Sequence, residues 1–260
     1  MSAVAIIQAR MGSTRLPGKV LMDLCGKPVL WHVVQRTQAA QRVHRVLVAT
    51  TRRAEDDAIK ELCREWGTPV YRGPAEDVLA RYHGAVRYLD RQGVPVDLIV
   101  RITADCPLMD PAVIDRGVRE AEEKNPDYIS NVDPPTFPDG LDVEVFTRQV
   151  LEITHSEARL PSDREHVTPF MRRSGRFKTV NFRAVTDLSH LRWTLDTRED
   201  YLFIREVYRH LFPQKNLFAL EDVVRLLADH PELSGINSHL KRNEGYRLSL
   251  EKDTRILGAE

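Results

Sequence analysis

Cysteine is scarce in this chain: Cys25, Cys63 and Cys106 are odd in number, far apart among 260 residues, and without any Cys-x-x-Cys spacing. That excludes a disulfide framework and a cysteine-rich zinc site, and it predicts a reducing compartment. Long apolar runs are missing too. The stretch from Ala3 to Ile7 is too short for a signal-peptide core, and no segment reaches the ~18 apolar residues of a membrane span. A cytoplasmic protein without membrane association is expected. Net charge is absent, with 38 basic against 38 acidic side chains, so no polyelectrolyte surface marks nucleic acid as a partner. Lysine supplies only 8 of those basic residues. Arginine number therefore follows overall composition, and position is the informative property. At 42% hydrophobic and 29% charged, a chain of this length can bury a substantial core without metal or disulfide staples.

Two familiar phosphate-binding designs are also lacking. The first strand-to-helix junction carries neither Gly-x-x-x-x-Gly-Lys-Ser/Thr nor Gly-x-Gly-x-x-Gly. It reads instead Ile7-Gln8-Ala9-Arg10-Met11-Gly12-Ser13-Thr14-Arg15-Leu16-Pro17-Gly18-Lys19. Three cations and two glycines share one loop, and no acidic residue interrupts the chain from Met1 to Met22. A polyanion is the natural guest, since Gly12 and Gly18 allow backbone N–H groups to join Arg10, Arg15 and Lys19 around phosphate oxygens.

Short β-rich runs alternate with longer helical patterns through the first half, the mark of strand–helix–strand units around a largely parallel sheet. Strands are expected over 3–8, 45–50, 70–71, 97–103 and 128–131, with helices over 28–40, 54–66, 76–91 and 111–124. Asp133-Pro134-Pro135-Thr136-Phe137-Pro138-Asp139-Gly140 is turn-rich and reads as an active-site loop. Beyond it, strands are expected over 141–146, 177–182 and 191–195, and helices over 148–159, 163–173, 197–211 and 220–228. Residues 1–236 form a single catalytic domain on this reading, and 237–260 a polar tail or dimer arm.

Asp105 and Asp196 each stand just beyond a strand, the sheet edge at which open α/β folds bind ligands. Two carboxylates with phosphate oxygens suit Mg²⁺, so Asp105 and Asp196 are the expected metal ligands. Aspartates after strands also start turns and cap helices, and Thr197 with Asp200 has the spacing of a capping box. Asp142 and Glu144 lie two apart on an expected strand and share a face suited to sugar hydroxyls, an amine or a metal, or else to solvent. Ser162 with Glu165 fits another capping box. His166, in that helix's first turn, either contacts substrate or satisfies a local hydrogen bond.

The opening block from Gln8 to Lys19 closely resembles the signature of the cytidylyltransferases that make CMP-activated sugar acids. The segments Glu76-Asp77-Val78-Leu79-Ala80-Arg81, Pro138-Asp139-Gly140-Leu141-Asp142-Val143-Glu144, Arg164-Glu165-His166-Val167-Thr168-Pro169 and Leu195-Asp196-Thr197-Arg198-Glu199-Asp200 resemble the spore-coat polysaccharide branch of that family. The resemblance spans about residues 3–205. It implies an α/β nucleotide-diphospho-sugar transferase fold, glycosyltransferase-A-like, a three-layer sandwich on a mostly parallel sheet. It also implies that Arg10, Gly12, Ser13, Arg15, Lys19 and Lys27 hold the triphosphate of CTP, and that Asp77 and Arg81 contact base and ribose. Arg15, Lys19, Asp105 and Asp196 would act in catalysis with Mg²⁺, and a homodimer is usual among such relatives. Asp142, Glu144, Arg164, Glu165 and His166 are the candidates for binding a small-molecule acceptor. After Asn131 the sugar-binding blocks of the sugar-acid enzymes are not recognisable. Two rivals remain: a glycosyltransferase using a nucleotide sugar, which would ordinarily carry Asp-x-Asp where this chain has Asp105-Cys106-Pro107, and a non-catalytic nucleotide-sensing or scaffold protein.

Overall fold

The computed structural model describes residues 1–257. In chain order the strands are β1 (Ala3–Gln8), β2 (Asp23–Leu24), β3 (Lys27–Pro28), β4 (Arg45–Thr51), β5 (Val70–Gly73), β6 (Leu98–Thr103), β7 (Tyr128–Ser130), β8 (Glu144–Thr147) and β9 (Thr179–Asn181). The helices are α1 (Val29–Gln38), α2 (Asp57–Glu65), α3 (Val78–Arg91), α4 (Pro111–Lys124), α5 (Arg148–Glu157), α6 (Pro161–His166), α7 (Pro169–Arg173), α8 (Arg198–Leu211), α9 (Leu220–Asp229), α10 (Pro231–Ser234) and α11 (Glu244–Leu257).

Seven strands form one sheet in the order β5-β4-β1-β6-β8-β7-β9. Parallel pairing joins β5, β4, β1 and β6; β8 runs antiparallel to both neighbours. Because β1 is covered on both faces, it is apolar at successive positions rather than alternate ones. Ala3, Ala5 and Ile7 enter one core, with residues of α1, α2, α4, α8 and α9, whereas Val4 and Ile6 enter the other, with α3 and α5. The expected three-layer α/β sandwich is thus the architecture observed. The chain passes from β1 outward to β4 and β5, then returns to place β6 on the opposite side of β1. The loops leaving β1 and β6 diverge there, which opens a crevice at the carboxyl edge of the sheet.

Several second-half boundaries depart from expectation for visible reasons. Residues 141–143 stand outside the ladder, because the Asn131 carboxamide takes their backbone groups: its Nδ2 donates to the Leu141 carbonyl at 2.7 Å and its Oδ1 accepts from the Val143 N–H at 2.8 Å. The expected strand 191–195 has one bridge, Asp139 to Arg192. That close approach requires Gly140, whose φ is +111° and where a Cβ would stand 2.6 Å from the Trp193 carbonyl carbon. The expected helix 163–173 is cut in two at Val167. Most consequentially, the expected tail carries α11, which packs on α6; residues 258–260 of that tail lie outside the described residues.

Candidate active site

The loop after β1 is shaped from within. The Met11 carbonyl accepts from the N–H groups of Ser13 at 2.8 Å and Gly18 at 3.0 Å, drawing the loop into a closed bend. Gly18 is left-handed, with φ 71° and ψ 8°, and begins a one-turn 3₁₀ helix, Lys19–Leu21. That conformation is costly for a side chain but open to glycine, and it turns Lys19 inward. The ammonium of Lys19 donates to Asp105 Oδ2 at 2.7 Å and Asp196 Oδ1 at 2.8 Å. The two expected metal carboxylates therefore converge on one point, although 91 residues separate them in sequence. Burial alone would lower the Lys19 pKa, but Asp105 and Asp196 outweigh it and raise the value. Burial would likewise raise Asp105; the Lys19 ammonium dominates and holds that carboxyl at about 2.

Arg15 extends the charge pattern outward, with one nitrogen 2.9 Å from Asp196 Oδ2 and the other 3.0 Å from Glu244 Oε2. The loop has no acid of its own, yet the fold supplies acids around it: Met11 N–H donates to Asp56 Oδ1 at 2.6 Å. Asp196 is fixed from beneath. The Asp200 carboxylate accepts from the Asp196 and Thr197 N–H groups, each at 3.0 Å, in the capping box that starts α8. It is clasped in turn by the buried Arg192 guanidinium at 2.8 and 2.9 Å. Such a two-pronged Arg–carboxylate contact fixes orientation as well as charge.

A cavity of about 440 Å³ opens above these groups. Of the residues expected from sequence, Arg10, Ser13, Arg15, Lys19, Arg81, Asp105, Glu165, His166 and Asp196 line it. Six others do not. Gly12 faces Glu55. Lys27 lies over the Trp31 ring at 5.5 Å. Asp77 caps α3 through the Ala80 N–H and pairs with Arg164, so these two tie α3 to α6. Asp142 is held by Arg242. Glu144 is buried beneath Arg101, Tyr128 and Thr168. These are structural placements, set by neighbours that a linear reading cannot bring together. Even Arg81, which does line the cavity, directs its guanidinium to the carbonyls of Pro74 and Ala75 at 2.9 and 2.8 Å.

Sequence reasoning missed other lining residues: Gln8, Arg101, Thr103, Asp139 and several positions of α11. The signal for two of them was available. Arg101 and Thr103 share a face at the end of a strand otherwise buried and apolar, and polar groups there need a partner or a ligand. Asp139 is pushed up to about 7, first by burial and then by Asp142, with Arg242 and Arg192 opposing.

His166 is presented by an uncommon backbone. Val167 has φ 72° and ψ −51°, and the Thr168 N–H donates back to the His166 carbonyl at 2.8 Å. This is the rarer three-residue turn with positive φ, and a β-branched residue there costs about 1–3 kcal/mol. Burial of Val167 and the 2.6 Å bond from Thr168 Oγ1 to Glu144 hold it in place. His166 Nε2 lies 2.9 Å from Ser249 Oγ, which also donates to Glu165 at 2.9 Å. Burial, aided by Arg101, lowers the His166 pKa to about 4. The imidazole is therefore neutral at pH 7.

With Ser249 Oγ donating to Glu165, His166 Nε2 is the donor to Ser249.

An α/β sandwich with cations from one loop and two carboxylates at a crevice of the sheet has the arrangement in which open α/β folds bind ligands. The chain belongs to the cytidylyltransferase family, whose model matches residues 4–226. It is 35% identical to a protein of Methanocaldococcus jannaschii over 95% of this chain and 98% of that one. The spore coat polysaccharide biosynthesis protein SpsF of Bacillus subtilis is 31% identical over 87% of this chain and 94% of its own. Among solved structures, a cytidylyltransferase from Leptospira borgpetersenii superposes with a TM-score of 0.83 at 32% identity, covering 90% of this chain and 96% of that one.

Proposed function

We propose that the protein transfers CMP from CTP to a sugar acid or related small acceptor, releasing pyrophosphate, in the synthesis of surface polysaccharide or glycoconjugate precursors. The observation that carries this reading is the convergence of Arg10, Ser13, Arg15 and Lys19 with Asp105 and Asp196 on one cavity. Its likeness to SpsF supports a place in polysaccharide synthesis, and its likeness to 3-deoxy-manno-octulosonate cytidylyltransferases supports a sugar-acid acceptor. The Trichlorobacter lovleyi enzyme of that name is 40% identical over 45% of this chain and 44% of its own.

An acceptor hydroxyl oxygen attacks the α-phosphorus and its proton passes to solvent; the bond to the bridging α–β oxygen breaks, and pyrophosphate leaves with the electron pair. Such a transfer asks the protein mainly for positioning and charge neutralisation. Arg10 and Ser13 bind phosphate oxygens, and Arg15 and Lys19 offset the charge that accumulates on the leaving group. Two carboxylates a single cation can bridge suit Mg²⁺, which takes one or two carboxylates and completes its shell with phosphate oxygens and water. Asp105 and Asp196 would hold it, and when bound it supplies Lewis-acid polarisation of the phosphate. Neutral His166 is suited to hydrogen bonding rather than to charge pairing. The glycosyltransferase reading finds less support: Asp105-Cys106-Pro107 is not Asp-x-Asp, and Asp142 and Glu144, the other acidic pair two residues apart, do not line the cavity.

Thermal stabilisation by CTP, UTP, GTP, ATP, UDP and a UDP-sugar, each with and without Mg²⁺, tests the reading, since a ligand of the native state raises stability by RT ln(1 + [L]/Kd). Selective stabilisation by CTP is expected, followed by pyrophosphate release in a screen of sugar acids. Stabilisation by a nucleotide sugar or UDP without a response to CTP would transfer the assignment to glycosyl transfer.

A further inference from the structure

The match to the family model ends at residue 226, yet the cavity has a wall from beyond it, formed by Tyr246, Leu248, Ser249 and Lys252 of α11. The chain leading into this helix is firmly rooted. Asn237 Nδ2 donates to the Arg192 carbonyl at 3.0 Å and to Asp200 at 2.9 Å, and Arg242 donates to the Phe137 carbonyl at 3.1 Å. The helix itself docks on α6 through polar groups. Asp253 accepts from the Ser162 N–H at 2.9 Å and Ser249 meets Glu165 and His166, while Leu248 and Leu250 are 49% and 41% exposed. Ser249 and Asp253 are themselves buried, so these polar contacts fix where α11 sits on α6.

The first residue of the helix completes the picture. Both terminal nitrogens of Arg15 are engaged by carboxylates, one by Asp196 and one by Glu244. Asp196 is also held by Lys19 and Arg192, whereas among the described residues Glu244 has Arg15 as its one ion-pair partner. A phosphate arriving at Arg15 therefore displaces Glu244 in preference to Asp196.

We propose that Glu244 is a built-in occupant of the phosphate position on Arg15: it seats the start of α11 over the cleft when nucleotide is absent, and the triphosphate takes its place. This rests on the assignment of Arg15 to the triphosphate, and not on the identity of the base or the acceptor. The test is calorimetric titration of the full chain with sodium tripolyphosphate and, separately, with CTP, for wild type, Glu244→Gln and Glu251→Gln. The last removes the same charge from an exposed position of the same helix. Loss of an exposed competing ion pair should tighten binding of both ligands roughly two- to fivefold in Glu244→Gln, with Glu251→Gln matching wild type. Equal affinities in wild type and Glu244→Gln, equal tightening in both variants, or no binding of tripolyphosphate to any of the three would overturn the proposal. Tighter tripolyphosphate binding in Glu244→Gln, with no binding of CTP, would sustain it while removing the cytidylyl reading.

Discussion

Replacing Lys19 with methionine keeps most of the side-chain volume and removes the one ammonium that lies between Asp105 and Asp196. Two carboxylates that share a cation at 2.7 and 2.8 Å would then face each other without it. Breaking a buried ion pair by removing one partner costs about 3–5 kcal/mol. The carboxylates keep 26% and 19% exposure, so water relieves part of that penalty and about 3 kcal/mol is expected. For a chain of this size that is a fall in Tm of about 6–12 °C. The pH dependence makes the experiment specific. In the wild type, Asp105 titrates at about 2 against a usual 3.8. A depressed carboxyl contributes stability above its unfolded pKa, amounting to about 2 kcal/mol here and lost as pH falls from near 4 toward 2. In Lys19→Met the neighbouring Asp196 charge raises the Asp105 pKa instead, so protonation relieves repulsion and the stability gap narrows as pH falls from 7 to 3. Urea unfolding across that range, with pyrophosphate release measured alongside, gives both readouts. A gap that stays constant with pH, or a loss below 1 kcal/mol, would show that the carboxylates do not depend on Lys19. Near-wild-type turnover would remove the lysine from the reaction.

The lowered pKa of His166 gives a second pH signature. Its stabilising contribution is present above the unfolded value of 6.5 and is lost as pH falls through about 4, so His166→Gln should flatten the stability profile between those limits; an unchanged acid limb would contradict a buried neutral imidazole. Gly140→Ala sets a Cβ against the backbone of Trp193 and Thr194 at 2.6–2.8 Å, whereas Gly67→Ala, also at positive φ, meets no atom within 4 Å. Circular-dichroism melts should show a loss of about 1 kcal/mol for Gly67→Ala and a clearly larger one for Gly140→Ala, and equal losses would mean that the loop yields without resistance.

Much of the fold was legible because β1 and β4 carry continuous apolar runs and β6 is apolar apart from Arg101 and Thr103, and Asp110-Pro111 and Thr197 to Asp200 announce their helices locally. The second half was less legible wherever long-range groups replace local rules. Asn131 substitutes for a ladder, and Val167 adopts a conformation that its residue type disfavours. The helix α11 escaped because its docking face is Ser249 and Asp253 rather than an apolar stripe. For the site, charge position in the first loop found Arg15 and Lys19. It could not reveal that Glu144 and Asp142 already have partners, since Arg101 and Arg242 lie 43 and 100 residues away.

The two cores flanking the sheet and the polar seat of α11 also differ in how readily they come apart. The strands are covered by apolar side chains on both faces, whereas α11 is seated through Ser249 and Asp253 and leaves Leu248 and Leu250 exposed, and elements with less buried apolar surface open more readily than core strands. Amide hydrogens of α11 should therefore exchange with solvent orders of magnitude sooner than those of β1 and β6. The cleft thus combines cationic and acidic walls anchored at the edge of the sheet with one wall supplied by a separately seated helix.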